Sequence, residues 1–179
     1  MKKVTMIFNI IGDPVAKARP RFTGRGGSSR AYTPKKTTDY ENRVGNAFAL
    51  KQVEWELLNG IKWPLDWTYK LTILASFRIP ESYPKWRKDL IKEGRIKMTK
   101  KPDWDNIGKI VSDALNGVAW LDDGQVAGAS VQKQYVASDD EEPSVYVMIE
   151  GFCDKDDRWT EDYKAIHGMK QAQKARKKT

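Results

Sequence analysis

The chain has 179 residues, and 32 Lys and Arg against 24 Asp and Glu give a formal net charge of +8. This length fits one domain, and a hydrophobic content of 40% is enough for a sizeable core. The sequence contains no run of about 18 uncharged apolar residues and no cleavable leader pattern after Met1. We therefore expect a cytoplasmic protein that makes no use of a membrane.

The scarcity of cysteine and histidine excludes several kinds of site. One cysteine, Cys153, and one histidine, His167, cannot supply a disulfide framework or a Cys/His zinc site, and they leave almost no nucleophile–histidine pairs. If this chain is an enzyme, its chemistry must therefore use carboxylates, lysines and bound metal ions. The positive charge indicates an anionic partner, of which nucleic acid is the commonest.

The first half of the chain predicts a strand, a basic loop and a long helix. Residues 4–11 are β-branched and apolar, and Gly12-Asp13-Pro14 then forms a turn. The segment 16–38 carries seven basic residues and no acid, and its Gly/Ser run is too flexible to hold regular structure alone. Thr38 and Glu41 fit a capping box that opens a helix ending at Asn59-Gly60.

The second half predicts three strands and a second amphipathic helix. Apolar and polar residues alternate over 69–77, which indicates a half-buried strand, and a basic segment with a short helix follows at 80–101. Residues 105–115 carry apolar side chains at i, i+3, i+4, i+7 and i+8, which predicts a helix. Two further strands are expected at 126–136 and 144–152.

This element order predicts the fold class and the domain organisation. The order strand, helix, strand, helix, strand, strand indicates an α+β single domain with one mixed four-stranded sheet and packed helices. We assign residues 1–153 to this domain and residues 154–179 to a charged, basic C-terminal extension. Both basic segments follow strands, so they lie on connecting loops, where functional groups are often placed.

An acidic cluster at the start of the second helix is the strongest functional signal. Asp103 and Asp105 lie within a basic stretch of the sequence. Successive residues of a helix are rotated by about 100°, which places Lys109 and Asp113 on the same side as Asp105. Asp122 and Asp123 follow a short loop later. One of this pair could converge with Asp103 and Asp105 on Mg²⁺ or Mn²⁺, because hard cations prefer oxygen ligands. Lys109 could then neutralise charge on the transition-state phosphate.

Structural roles for the same residues remain open. Asp103 or Asp105 could cap the helix, Lys109 and Asp113 could form an ordinary surface ion pair, and Asp122 with Asp123 could belong to a turn. Two tryptophans flank these motifs: Trp104 is expected to pack rather than to stack on a base, and Trp120 is expected in the core. The glycine run at 24–27 lacks the Gly-Lys-Ser/Thr ending of a phosphate loop, so no nucleotide cofactor is expected.

The same motifs resemble those of a known family. The segments Lys101-Pro102-Asp103-Trp104-Asp105-Asn106, Asp113-Ala114-Leu115-Asn116-Gly117 and Trp120-Leu121-Asp122-Asp123-Gly124-Gln125-Val126, with Lys109, resemble the RusA family of Holliday-junction resolvases. The opening segments Gly12-Asp13-Pro14-Val15, Arg19-Pro20-Arg21-Phe22 and Tyr32-Thr33-Pro34 are similar to that family too. Such proteins are found in bacteria and are often carried by phages or prophages. The resemblance spans roughly residues 4–152.

The resemblance implies a homodimeric, Mg²⁺-dependent endonuclease that recognises four-way DNA junctions by shape and nicks two opposing strands. Carried over by position, the catalytic and metal-binding acids fall on Asp103, Asp105 and Asp123, and the essential lysine on Lys109. Asp122 and Asp113 lie within the same motif and are assigned a supporting role. The basic residues expected to hold the DNA backbone are Arg19, Arg21, Arg25, Arg30, Lys35, Lys36, Lys97, Lys100 and Lys101.

Two other functions remain open at this point. One is a non-catalytic protein that binds branched DNA and uses its acids structurally. The other is a metal-dependent nuclease for flaps, replication forks or RNA, which shares the acidic centre but not the substrate. Mg²⁺-dependent cleavage separates the first from a nuclease, and a panel of branched substrates separates the second.

Overall fold

The computed structural model describes residues 2–23, 30–138 and 140–153. The extension assigned to residues 154–179 lies outside the described residues, as do Arg25 and the rest of the Gly/Ser run. The elements in chain order are β1 (Lys2–Ile11), β2 (Arg21–Thr23), β3 (Arg30–Tyr32), α1 (Lys35–Asn59), β4 (Thr68–Phe77), α2 (Lys85–Lys92), α3 (Trp104–Leu115), a 3-10 helix (Asp123–Gln125), β5 (Val126–Tyr135) and β6 (Ser144–Cys153).

The main sheet has four strands in the order β1-β6-β4-β5. β6 pairs antiparallel with both β1 and β4, whereas β4 and β5 run parallel. Parallel strands need a crossover connection, and here α2 and α3 lie within that connection. The predicted α+β architecture with a mixed four-stranded sheet is therefore confirmed.

One face of the sheet forms the core with α1 and α3. Alternate residues of β1 and β4 are buried, as the period of two in the sequence predicts. Phe48 of α1 contacts Trp63 edge to face, and Tyr69 of β4 lies between Trp63 and Trp120. Trp120 is fully buried, which confirms its predicted place in the core. None of the helices in the described ranges is long and apolar enough to cross a membrane.

The start of α1 differs from the prediction. The helix begins at Lys35, with Pro34 as its N-cap in an extended conformation, rather than at a capping box on Thr38. The backbone N–H groups of Thr37 and Thr38 already donate to the Pro34 carbonyl, at 2.9 and 3.3 Å. Pro34 is suited to this position because its fixed φ matches the conformation of the chain before the helix, and because no backbone N–H is needed from this residue.

A two-stranded hairpin within the first basic segment was not predicted. Arg21 pairs with Tyr32, and Phe22 with Ala31, across β2 and β3. These strands have three residues each, which is too short for a periodic hydrophobic pattern. The hairpin presents Phe22 and Tyr32 as exposed side chains next to the basic residues of the segment.

Candidate active site

The N-terminus of α3 places the two leading acids on the surface. Asp103 is the N-cap residue, but its side chain makes no capping hydrogen bond, so the structure does not support a side-chain cap for this residue. Asp105 lies in the first turn, where the positive end of the helix dipole stabilises a carboxylate. Both side chains are exposed. Two carboxylates thus face solvent within one turn of helix.

Trp104, between the two acids, does not pack as expected. Its side chain is 61% exposed, although it shares a helix face with buried Ile107 and Val111. It is the first residue of α3, one residue after Asp103 and one before Asp105. The aromatic ring is therefore on the surface beside Asp103 and Asp105.

The polar stripe predicted along α3 is present. Asp105, Lys109 and Asp113 lie along one side of the helix, with Asp105 and Lys109 exposed, whereas Ile107, Ile110, Val111 and Leu115 are buried. The alternative of a Lys109–Asp113 pair is not observed: Asp113 instead contacts Lys17, at 2.7 Å, and Lys109 forms no ion pair with any residue that the structure describes. Lys109 therefore presents its ammonium group one turn after Asp105.

Lys17, which the sequence analysis assigned no role, ties the first basic segment to two helices. Its Nζ contacts carboxylate oxygens of Glu41 on α1 and Asp113 on α3, and its backbone N–H donates to the Asn106 carbonyl at 2.9 Å. Partial burial by itself would lower the pKa of Lys17, but the hydrogen bonds to Asp113 and Glu41 outweigh it and raise the pKa. The segment before Arg19 and Arg21 is thus held alongside α3.

The acid pair after α3 divides into a structural and an exposed residue. Asp122 Oδ1 accepts from the Gly124 N–H at 2.8 Å, and the Gln125 side-chain oxygen accepts from the Asp122 N–H at 3.0 Å, which forms a capping box. The turn alternative therefore holds for Asp122. Asp123 is exposed at the first position of the 3-10 helix. Gln125 Nε2 also donates to the carbonyls of Leu65 and Trp67, which ties this turn to the start of β4.

One chain does not bring all three expected metal-binding acids together. Asp103 and Asp105 lie at the N-terminus of α3, and Asp123 follows the turn beyond its C-terminus. With 12 residues, α3 is about 18 Å long at 1.5 Å per residue. Among the residues that the structure describes, no group of three or more His, Cys, Asp or Glu could hold a metal ion. Asp103, Asp105 and Lys109 form one site, and Asp123 lies apart from it.

A groove that contains two basic residues reaches the residue before Asp103. The groove, of about 350 Å³, lies between the segment after β1 and the N-terminus of α1, and Arg21, Lys36 and Pro102 are among its lining residues. Pro102 directly precedes Asp103. Lys35 and Lys36 occupy the first turn of α1, which contains no acid, so their charges add to the positive end of the helix dipole. This end of the groove therefore favours an anion.

The remaining candidates for DNA contact are distributed over both basic segments. Exposed side chains are found at Arg19, Arg21, Lys35, Lys36, Lys97, Lys100 and Lys101. Arg30 is the first residue of β3. In the second segment, the Nζ of Lys100 lies 4.9 Å from the centre of the Tyr83 ring, and Arg87 stacks on the same ring.

Comparison with known proteins gives two findings. The family model described as endodeoxyribonuclease RusA matches residues 12–150, which include all the acids discussed above. A relative in Bacillus subtilis (strain 168), the uncharacterized protein YqaN, is 34% identical over 142 residues, which cover 79% of this chain and 93% of that protein.

Proposed function

This chain belongs to the RusA family of endodeoxyribonucleases, and from that premise we propose that it is a Mg²⁺-dependent nuclease that resolves four-way DNA junctions by paired symmetric nicks. One observation carries the proposal: Asp105 and Lys109 share an exposed face of α3 directly after exposed Asp103, and a groove that contains Arg21 and Lys36 reaches Pro102, the residue before Asp103. Acids in such a surround would repel DNA unless a cation lies between them.

The donor chemistry of the site fits Mg²⁺. Asp103 and Asp105 offer carboxylate oxygens, and proteins commonly hold this ion with one or two carboxylates, waters and substrate phosphate rather than with a complete protein cage. Mg²⁺ therefore does not need a third ligand from the same chain when a DNA phosphate also binds it. Mn²⁺ is a suitable substitute for Mg²⁺. When bound, the metal would generate the attacking hydroxide and stabilise the leaving oxygen of the phosphodiester.

The other residues of the site have distinct roles in this proposal. Lys109 neutralises the negative charge that develops on the phosphate oxygens. Its ammonium group is available for this role because it is exposed and forms no ion pair within the part of the chain that the structure describes. Arg21 and Lys36 hold the DNA backbone in the groove that leads to Pro102. Asp113 and Asp122 act structurally, through Lys17 and through the capping box respectively.

Paired nicks require two such sites related by a two-fold axis, and α1 carries a surface suited to a second copy of the chain. Leu50, Val53 and Leu57 are 77%, 60% and 79% exposed on a face of α1 other than the one that packs into the core. Ile61, just beyond the end of α1, is also exposed and lines one groove with Val53 and Leu57. Clustered exposed apolar side chains are typical of surfaces that bind another protein.

The spacing of three of these residues places them on one face of α1. Leu50, Val53 and Leu57 follow one another at intervals of three and four residues, so their side chains lie along the same side of the helix. A two-fold axis through this face would place α1 against its own copy, since both subunits then use the same surface. The proposal therefore commits to a homodimer through α1.

A homodimer would also give Asp123 a role in metal binding. In one chain Asp123 lies beyond the far end of α3 from Asp103 and Asp105. A site that contains all three acids must therefore take Asp123 of the partner subunit. In this arrangement neither subunit holds a complete site by itself, and cleavage depends on dimer formation.

The test is cleavage of a substrate panel by the wild type and by Asp105→Asn. We expect the wild type to nick a four-way junction with Mg²⁺ or Mn²⁺ but not with EDTA, and to leave duplex DNA, flaps, forks and RNA largely uncut. Asp105→Asn should bind the junction but not cleave it. The charge-matched control is Glu142→Gln in the loop before β6, which also removes one exposed carboxylate, belongs to neither α1 nor the acidic site, and should cleave normally. Cleavage by Asp105→Asn at the wild-type rate would contradict the proposed site.

A further inference from the structure

A lysine on β5 holds the chain that leads into the acidic motif. Lys133 Nζ donates to the carbonyl oxygens of Lys100, at 2.7 Å, and Pro102, at 2.9 Å. These two carbonyls flank Lys101, and Asp103 is the next residue after Pro102. One side chain of the sheet therefore fixes two points of the backbone immediately before Asp103.

A second contact shows that β5 is the support for this end of α3. A Cβ atom on Gly108 would come within 2.9 Å of Val131 Cγ2, so the helix approaches the strand more closely there than a larger residue allows. Val131 and Lys133 lie on the same face of β5, because alternate residues of a strand share a face. The apolar contact fixes the distance between α3 and β5, and Lys133 fixes the chain that enters the helix.

We propose that Lys133 is a positioning residue that sets the orientation of Asp103 toward the metal and the DNA. The inference rests on the proposed function and extends it to a residue that does not itself touch substrate. Both of these hydrogen bonds are to backbone carbonyls, and a charged donor makes strong hydrogen bonds with such acceptors. Its ammonium group is thus committed to the protein rather than to a phosphate.

The role as a positioning residue differs in its consequences from a direct DNA contact. A lysine that binds phosphate lowers the affinity for DNA when it is removed. A residue that orients Asp103 instead lowers the rate of the chemical step while DNA binding persists, since misplacement of a catalytic group by about 1 Å costs about 100-fold in rate.

The experiment compares Lys133→Met, Lys133→Arg and Lys70→Met with the wild type on a four-way junction. Lys70 is exposed on β4, so its variant controls for the loss of one positive charge. We expect Lys133→Met to keep its junction affinity within twofold while its single-turnover cleavage rate falls at least tenfold. Lys133→Arg should recover most of the rate, because a guanidinium can donate to both carbonyls. Lys70→Met should cleave normally.

A second measurement tests the inference without cleavage. The Ile107 N–H donates to the Asp103 carbonyl, at 3.3 Å, in the first turn of α3. In Lys133→Met this amide should exchange with deuterium at least tenfold faster, whereas the amide of Leu71 in β4 should be unchanged. If the wild type cuts no junction, the proposed function fails and the exchange result still decides the role of Lys133. Unchanged exchange, or wild-type cleavage by Lys133→Met, would overturn the inference, and if Lys133→Met does not fold, Lys133→Gln replaces it in both measurements.

Discussion

The ammonium group of Lys17 lies 2.7 Å from Asp113 Oδ2, and this contact joins the first basic segment to α3. Both side chains are partly buried, with 24% and 34% of their surface exposed. The same ammonium also contacts Glu41 of α1. A single lysine therefore links the loop that carries the DNA-binding candidates to the helix that carries the acidic site.

Replacing Asp113 should lower stability by a modest amount. Asp113→Asn removes one of the two carboxylates around Lys17, and we expect a loss of about 1 kcal/mol in the free energy of unfolding, as for a partly exposed pair. Urea denaturation measures this loss. The control is Glu54→Gln, which removes the exposed Lys51–Glu54 pair on α1 and should cost less than about 0.5 kcal/mol. Equal losses in the two variants would show that the Lys17–Asp113 contact contributes no more to stability than an ordinary surface ion pair.

Removing Lys36 should weaken DNA binding in a salt-dependent manner. Lys36 lines the groove near Pro102, and a contact with one phosphate contributes about 0.9 to the slope of log affinity against log salt. We expect Lys36→Ala to reduce that slope by about this amount on a four-way junction. The measurement is a binding titration at several salt concentrations. Lys62→Ala, three residues beyond the C-terminal end of α1, is the matched control and should keep the wild-type slope.

The sequence predicts most of the fold because local periodicity decides it. The alternation in β1 and β4 and the helical spacing in α3 each appear within a single segment, so the sheet and its covering helices can be predicted. The predicted start of α1 was wrong because two possible helix starts, Pro34 and Thr38, lie four residues apart. Pro34, rather than Thr38, is the N-cap. The hairpin of β2 and β3 is too short to leave a pattern.

The site is only partly predictable for a different reason. The shared face of Asp105, Lys109 and Asp113 follows from helix geometry, and the structure reproduces it. The contacts of Lys17 with Asp113, and of Lys133 with Lys100 and Pro102, join segments that are distant in sequence, and no local pattern encodes them. The position of Asp123 relative to Asp105 likewise depends on how the turn after α3 packs against the start of β4.

Low pH should destabilise the segment that connects α1 to β4, because it protonates Glu56. Hydrogen bonds from Lys62, the Trp63 N–H and Gln52 lower the pKa of Glu56 from 4.5 to about 2. Because the folded-state pKa is the lower one, the stabilisation is complete above pH 4.5 and is lost as the pH falls toward 2. Glu56→Gln should therefore melt below the wild type at pH 7, and the difference should shrink at pH 2.5. Glu93→Gln, in a looser exposed pair, should show a smaller effect at pH 7, and a pH-independent difference for Glu56→Gln would contradict the assignment.

A charge on the second apolar face of α1 should dissociate the homodimer. Leu57 is 79% exposed and lies in the middle of that face, so burial of a carboxylate there on association would be costly. We expect Leu57→Glu to sediment as a monomer and to lose junction cleavage, whereas the wild type sediments as a dimer. Trp86→Glu, at an exposed apolar residue on α2, is the control and should remain dimeric. A wild type that is monomeric at micromolar concentration, or a dimer that persists in Leu57→Glu, would exclude this interface.

Mixing two inactive variants should restore cleavage if the acids of one site come from two subunits. Asp105→Asn and Asp123→Asn homodimers should each be inactive. In a mixed dimer, one site would carry both substitutions and the other would carry neither, because the intact Asp105 of one subunit would meet the intact Asp123 of the other. We therefore expect the co-refolded equal mixture to nick one strand of the junction, with about a quarter of the wild-type number of active sites, because half of the dimers are mixed and each of these has one intact site of two. Asp103→Asn mixed with Asp105→Asn is the control and should stay inactive, since those two acids lie on one helix terminus and every site in that mixture contains a substitution. Absence of activity in both mixtures would place the complete site within one chain, whereas cleavage by the Asp123→Asn homodimer alone would exclude Asp123 from the site.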